Sequence, residues 1–266
     1  MGETGQVTGD AAEIYDERFL PAMFNEWAPR VAELAELEPG MRVLDVACGT
    51  GVLSLVVAEV VMPDGTVVGL DLNPGMLDVA RRKAPRIDWR EASAEAIPFE
   101  DAAFDAVVSQ FGLMFVEDKA RAIREMVRVL RPAGRLAVAV WDSLEKVTGY
   151  GAFTGLLSRL FGDSAAESLR APYSLGDTQI LSSLFSVTDA LDITISTLEG
   201  KVRYPSIRYW MEADIRGWTL SDALDDAQLE LLVSEAETDL ARFVKDDGTV
   251  EFSSPAHIVT ATKRAA

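Results

Sequence analysis

Between Gly40 and Trp141 short apolar runs alternate with helical stretches, and this alternation restricts the fold more than any other feature of the chain. Arg42 to Ala47 is an apolar run that ends in a glycine-bearing turn and passes into the helical stretch Val52 to Val61. Pro63-Asp64-Gly65 is a turn, Thr66 to Asp71 reads as a buried strand, and Pro74 to Ala84 reads as a helix whose proline suits its first turn. Ile87 to Glu91 and Phe104 to Ser109 are two more strands. Lys119 to Leu130 is a helix, and Gly134 to Trp141 is a strand introduced by the turn Arg131-Pro132-Ala133-Gly134. Strands that alternate with helices are joined by crossovers, so the sheet is parallel with helices on both faces.

Outside this segment the pattern is looser. Phe19 to Leu37 carries apolar residues at helical spacing (Phe24, Trp27, Val31, Leu34, Leu37) and predicts one or two helices before the turn Pro39-Gly40. After Trp141 come helical, partly polar stretches to about Leu184. Strands follow at Leu191 to Leu198 and Lys201 to Tyr204, then a helical insertion over Ser206 to Val244, and a last strand between Val250 and Thr262. The late strands are too few for a second core and are assigned to the edge of the first sheet. The expectation is a single α/β domain over residues 1–266: a doubly wound, Rossmann-like, mostly parallel seven-stranded sheet with an antiparallel last strand and a helical cap insertion. Residues 1–40 form a helical lead and lid and 41–143 the ligand-binding core. Residues 144–190 and 206–247 form the cap, and 191–205 with 249–263 supply the closing strands.

Composition narrows the partners. The 43 acidic residues outnumber the 25 basic ones, a formal charge of −18 that repels nucleic acid and anionic membrane surfaces. One cysteine, Cys48, rules out an intramolecular disulfide and fits the reducing cytoplasm. The opening stretch to Glu17 has no basic cluster followed by an apolar run, so no secretory signal is expected. The longest apolar stretch, Val52 to Met62, is broken by Ser54 and Glu59 and falls short of the ~20 residues that span a bilayer.

The chemistry points to Val43-Leu44-Asp45-Val46-Ala47-Cys48-Gly49-Thr50-Gly51, a strand running into a Gly-x-Gly turn at a helix start. Glycines there let a ligand approach the backbone, and the amides of the helix start favour an anionic group. As a dinucleotide motif the run is incomplete, because Ser54 stands where a third glycine would pack helix against strand. Asp45, four residues before the first glycine, would repel a pyrophosphate and attract an ammonium group. S-adenosylmethionine, which has no phosphate, carries an ammonium suited to Asp45 and a carboxylate suited to the turn amides. The competing reading is a structural turn with Asp45 capping the helix. Asp71, about twenty residues after the glycines, can accept both hydroxyls of a ribose, with Leu72 and Met76 offering apolar faces to an adenine; the competing reading makes it a strand-end turn residue or the N-cap of the helix at Pro74.

These segments together resemble the class I S-adenosylmethionine-dependent methyltransferases, among them the ubiquinone and menaquinone biosynthesis C-methyltransferases. The resemblance is close over Gly40 to Trp141. Val43 to Gly51 resembles the family's first motif, Val68 to Leu77 its ribose motif, and Ser93-Ala94-Glu95-Ala96-Ile97-Pro98-Phe99 its adenine-edge motif. Phe104 to Gly112 and Val129 to Leu136 resemble the two strands that follow. The resemblance implies that Ala47, Gly49, Thr50 and Gly51 hold the methionine part of the cofactor, beside the Asp45 already singled out by its charge, and Asp71 the ribose. It places Leu72 and Met76 against the adenine, Ser93 and Ala94 at the adenine edge, and Gln110 at the switch between the first and fourth strands. It also implies that Tyr15 and Phe19, with Phe24, close over the cofactor, and that Phe115 and Trp141 border the acceptor. Two positions depart from the pattern. Ser93 stands where the family usually has Asp or Asn, and Met114-Phe115 stand where the quinone-pathway enzymes carry Arg-Asn, which points away from a quinone precursor.

The implied activity is in-line methyl transfer to the oxygen, nitrogen or carbon of a small molecule, with S-adenosylhomocysteine as the other product. Alignment and desolvation can supply ~7–11 kcal/mol of such a barrier without a catalytic side chain. No catalytic residue is assigned. His257 reads as a structural histidine, and Asp142, Glu145 and Tyr15 are the remaining candidates for a base. Tyr204, Tyr209, Trp210, Met211, Trp218 and Leu220 have the spacing of core residues, with a substrate wall as the alternative. The acid-rich helix from Asp222 to Val244 reads as a solvated face, with a homodimer contact as the alternative. No metal cluster is expected. Two other functions compete: a cofactor-binding protein that catalyses something other than methyl transfer, and a nicotinamide-dependent oxidoreductase, which the placement of Asp45 disfavours.

Overall fold

In the computed structural model, which describes residues 9–188, 190–217 and 224–264, the alternating segment folds around one central strand. That strand, β1 (Arg42–Val46), is buried from Val43 onward, as a strand covered on both faces must be. It pairs in parallel with β2 (Thr66–Asp71) on one side and with β4 (Phe104–Gln110) on the other. Outward from β2 lies β3 (Asp88–Glu91), and outward from β4 lies β5 (Leu130–Trp141), both parallel. The sheet is completed by β6 (Leu191–Leu198) and β9 (Ala256–Lys263), in the order β3-β2-β1-β4-β5-β9-β6. Only β9 runs antiparallel to its neighbours. The protein therefore has the expected seven-stranded, mostly parallel, doubly wound sheet.

The crossovers are α3 (Val52–Val61), α4 (Pro74–Lys83) and α5 (Lys119–Val129). Helix α4 is capped by Asn73, whose side chain accepts from the amides of Gly75 and Met76, with Pro74 at the first helical position. Asp71 is thus not the cap, and neither is Asp45: α3 starts after Gly51 with no side-chain cap. The turn expected at Arg131–Gly134 lies inside β5, where the pairing with β4 shifts register between Phe104 and Ala106. The irregularity absorbs the turn residues without ending the strand.

The late strands divide differently from the expectation. Lys201–Tyr204 (β7) does not join the main sheet but pairs with Val250–Ser253 (β8) in a separate two-stranded sheet. The run Val250 to Thr262 is cut at Ser254-Pro255, because a proline there cannot donate to a ladder. The Ser254 amide instead donates to the Gly200 carbonyl, fastening the small sheet to the turn after β6.

Three short helices precede the parallel core or form its lead: α1 (Gly9–Ile14), a π-helix (Tyr15–Phe24) and α2 (Trp27–Leu34). Trp27 is fully buried and meets the rings of Phe111 and Trp141 edge-on. The first insertion folds as α6 (Thr148–Phe161), α7 (Asp163–Arg170) and α8 (Thr178–Phe185). The second folds as α9 (Ile207–Gly217) and α10 (Asp226–Asp239), which pack on each other, while α10 also packs on α6. Tyr204, Trp210 and Met211 belong to the buried core. Trp218, Leu220 and the start of the acid-rich stretch at Asp222 lie outside the described residues. Three arginines face the acidic residues of α10: Arg159 pairs with Glu235 and Asp239, Arg208 with Glu230, and Arg216 with Asp226. Among the described residues no helix is long and apolar enough to cross a membrane.

Gly69 on β2 shows how tightly the sheet is covered near the glycine turn. A Cβ there would stand 2.3 Å from the ring of Trp89. Gly69→Ala is expected to lose ~1–3 kcal/mol by overpacking. Gly155→Ala, on the exposed face of α6 with nothing within 4 Å, is expected to be neutral or to gain ~0.5–1 kcal/mol. Urea denaturation of the two variants beside the parent checks both.

Candidate functional site

The carboxyl ends of the central strands open onto a cavity of about 830 Å³, within the range of pockets that hold a cofactor or a drug-sized ligand. Its floor is the turn after β1. Ala47 and Gly49 take left-handed conformations (φ 56° and 55°), and Gly51 does so at φ 87°. Gly51 is excluded from having a side chain twice over, since a Cβ would also lie 2.5 Å from the Trp89 ring. Opposite the turn, Gly112 faces Ala47, and a Cβ on it would lie 2.4 Å from the Ala47 Cβ.

The amides of this turn are largely engaged within the protein. Cys48 N–H donates to the Leu70 carbonyl, Gly51 N–H to the Cys48 carbonyl, and Gly49 N–H to Asp71 Oδ2 at 2.8 Å. Three of the amides that the sequence reading offers to a ligand carboxylate, those of Cys48, Gly49 and Gly51, are thus already engaged. At the start of α3 the first N–H groups of a helix have no helical acceptor, and there Thr50, Val52 and Leu53 line the cavity. Gly51 is not part of the lining; it shapes the turn from behind.

Asp45, the residue before the last of β1, is fully buried. Its Oδ2 accepts from Ser54 Oγ at 2.6 Å, so the residue that replaces the third glycine is the partner of the acid. Its Oδ1 is buried without a partner, as are Thr50 Oγ1 and Gln110 Oε1. Burial pushes the Asp45 carboxyl up to about 7; the Ser54 hydrogen bond opposes this and the nearby Asp71 adds to it. Gln110 donates through Nε2 to the Phe24 carbonyl at 3.2 Å, tying the π-helix to the end of β4.

Asp71 ends β2 and accepts from the amides of Gly49 and Asn73, each at 2.8 Å. Desolvation raises its carboxyl from the ordinary range while these backbone donors pull it down. Leu72, 52% exposed, and Met76, nearly buried, flank it on the lining. Ser93 and Ala94 line the same wall, and Ser93 Oγ accepts from the Glu95 amide.

One wall comes from the π-helix, which the sequence reading offers as a lid. Tyr15, Phe19, Met23 and Phe24 all line the cavity, and Tyr15 lies 5.2 Å from Phe24, ring centre to ring centre. Burial, with Asp71 and then Asp16 adding, raises the Tyr15 phenol, which makes it a poor base. Trp141 stacks on Phe111 at 3.7 Å, and both line the cavity together with Phe115. Met114 is buried but is not on the lining. His257, Asp142 and Glu145 are likewise off it. The ring of His257 is 3% exposed, with Nδ1 2.8 Å from Thr197 Oγ1 and Nε2 3.0 Å from the Gly176 carbonyl.

The sequence reading missed Ser54 as a partner, Glu95 and Glu117 on the lining, and a cluster from the cap: Tyr150 and Tyr173 with Asp214. Asp214 was detectable in principle. On α9 it continues the buried stripe of Ile207, Trp210 and Met211 at helical spacing, where an acid is out of place. Among the described residues five acids line the cavity (Asp45, Asp71, Glu95, Glu117, Asp214) and no Lys, Arg or His does. Such a site repels phosphates and favours cationic ligands.

Comparison with known proteins agrees with this geometry. Residues 44–138 match a family model described as a methyltransferase domain. A demethylmenaquinone methyltransferase of Renibacterium salmoninarum is 44% identical over 140 residues, 52% of this chain and 58% of that protein. The chain thus spans little more than half the length of that relative. Among solved structures, the YcgJ protein of Bacillus subtilis is similar in fold, with a TM-score of 0.61 and 19% identity over 91% of this chain and 99% of that one. The [4+2]-cyclase SpnF is similar at a TM-score of 0.57 and 25% identity, over 91% of this chain and 82% of that one. Residues 44–138 thus match a methyltransferase domain, and the chain around them has a fold similar to those of these solved structures.

Proposed function

We propose that this protein transfers a methyl group from S-adenosylmethionine to a small molecule bound beneath the cap. The observation that carries the reading is the group of buried acceptors left without donors, Asp45 Oδ1, Thr50 Oγ1 and Gln110 Oε1, on a cavity whose described lining has no basic side chain. Unpaired buried acceptors are costly unless a ligand satisfies them, and an ammonium offers three donors and a countercharge. The other residues fit the rest of the cofactor. Asp71 keeps lone pairs for ribose hydroxyls beyond the backbone amides it already accepts from, Leu72 and Met76 flank an adenine, and Ser93 and Ala94 reach its edge.

When bound, the cofactor supplies a methyl group already activated on a cationic sulfur. The protein's own contribution is alignment and exclusion of water. The π-helix lid, held to β4 by Gln110, and the stacked pair Phe111 and Trp141 form apolar walls suited to both tasks. The pyrophosphate of a nicotinamide cofactor would meet Asp45 and Asp71 at its docking point, which disfavours an oxidoreductase. Phe115 on the lining, in place of a polar pair, supports an acceptor other than a quinone precursor. A second reading, a cofactor-binding protein that does not transfer methyl, draws on the likeness to a protein named as a cyclase. Incorporation of labelled methyl into an acceptor separates the two.

Titration calorimetry is expected to show binding of S-adenosylmethionine and S-adenosylhomocysteine but not NAD. Asp71→Ala should weaken both by ~1.5–3 kcal/mol, the worth of hydrogen bonds to a charged group. Unchanged affinity in a folded variant would refute the ribose assignment. Asp45 gives a pH dependence with a definite sign: below about 7 its carboxyl is protonated and gives up its attraction for an ammonium. Affinity for S-adenosylmethionine should therefore rise between pH 6 and 8 and then level. Ser54→Ala removes the hydrogen bond that holds this carboxyl down, so the rise should move to higher pH; a profile identical to the parent's counts against Asp45 as the partner.

A further inference from the structure

Asp214 is 2% exposed, yet it lines the cavity from the cap side. Tyr150 on α6 donates through its hydroxyl to Asp214 Oδ2 at 3.2 Å and shares a 3.0 Å hydrogen bond with the Tyr204 hydroxyl. The Tyr173 ring lies 6.0 Å from that of Tyr150, and Tyr150, Tyr173 and Trp141 all border the cavity. Three elements that are far apart in sequence thus bring one carboxyl and several aromatic faces to one end of a space whose described lining has no basic side chain. A buried carboxylate without a cation is expensive, and a cation supplied by the ligand removes the cost. Aromatic faces add attraction for an ammonium group. A carboxylate or phosphate on the acceptor would be repelled here, and a hydroxyl would bring no countercharge.

We propose that the acceptor is an apolar amine, held at its nitrogen by Asp214 within the aromatic walls of Tyr150, Tyr173 and Trp141, and that Asp214 takes the proton the nitrogen must lose. This inference rests on the methyl-transfer reading given above. In the step, one N–H bond of the ammonium breaks and its proton passes to the Asp214 carboxylate, leaving a lone pair on nitrogen. That pair forms the new N–CH3 bond as the methyl–sulfur bond breaks and its electrons stay on sulfur. The sulfonium becomes a neutral thioether, the product leaves as a methylammonium, and the proton on Asp214 returns to solvent. Burial raises the Asp214 carboxyl well above the usual range, and a cation brought beside it favours the ionised form that accepts the proton. Tyr150 is a positioning residue: its hydroxyl fixes Oδ2.

The test uses the whole chain saturated with S-adenosylhomocysteine, titrated calorimetrically with benzylamine, 2-phenylethylamine and 3-phenylpropylamine. The matching alcohols and carboxylates are titrated in parallel. At least one amine should bind more tightly than its alcohol, and the carboxylates should not bind. Asp214→Asn, which keeps the shape and removes the charge, should weaken the amine by about tenfold or more and leave the alcohols and S-adenosylhomocysteine unchanged. Tyr150→Phe should weaken the amine by a smaller factor with the same cofactor affinity, and it carries the test if the Asn variant does not fold. Equal amine affinity in the variants, tighter binding of alcohols or carboxylates, or no binding by any amine overturns the proposal. Failure of the parent to bind S-adenosylhomocysteine overturns the methyl-transfer reading itself, and this inference with it.

Discussion

The chain leaves β1 toward β2 on one side and comes back to β4 on the other, and this reversal is what the site depends on. At such a switch point the two crossovers diverge, so neither covers the carboxyl ends of the central strands, and a crevice remains there. The end of β1 is then the one place where backbone, a helix start and two strand-end acids converge. Asp45 and Asp71 are set side by side by strand register, Asp45 opposite Gly69 and Val46 opposite Leu70, with Asp71 next along β2. Their proximity raises both the cost of ionising Asp45 and the value of a cationic ligand that answers it.

The glycine turn works less as a cradle of amides than as a spacer. Three of its N–H groups are spent on Leu70, Asp71 and Cys48. The bond from Gly49 to Asp71 fixes the acid that would otherwise swing, and the left-handed residues let the chain pass beneath the cavity without a side chain in the way. Ser54 ties the opposite acid to α3. Both carboxylates are thus held by the turn or by the helix after it, each with acceptor capacity left over, which is a preorganised arrangement for a ligand rich in donors.

Lid and cap complete the enclosure. The π-helix reaches the sheet through Gln110 and the aromatic cluster of Phe24, Phe111 and Trp141. It reaches the cap through Met23, whose sulfur lies 3.8 Å from the Tyr150 hydroxyl. A single ten-residue element therefore touches both ends of the cavity. The same backbone carries Tyr15, Phe19, Met23 and Phe24 onto the lining.

The sequence by itself determined the parallel core and one end of the site. Thr66–Asp71 and Val52–Val61 form over the residues their patterns predicted, and Asp45, Thr50, Asp71 and Ser93 all reach the cavity, because strand ends and the turns after them lie close in sequence to the pattern that reveals them. Local periodicity says which way a strand runs into a helix, and in a parallel sheet that also says where its last residue points. Only the tertiary structure decided the other end. Lys201–Tyr204 looked like an edge strand until Pro255 and the turn at Gly200 separated it from the main sheet. Asp214, Tyr150 and Tyr173 are 41 or more positions apart from one another except for the 23 between the two tyrosines, and nothing in their local sequence ties them to Trp141. They meet because two insertions from different points of the chain bury their apolar faces against each other, and long-range packing of that kind leaves no periodic trace.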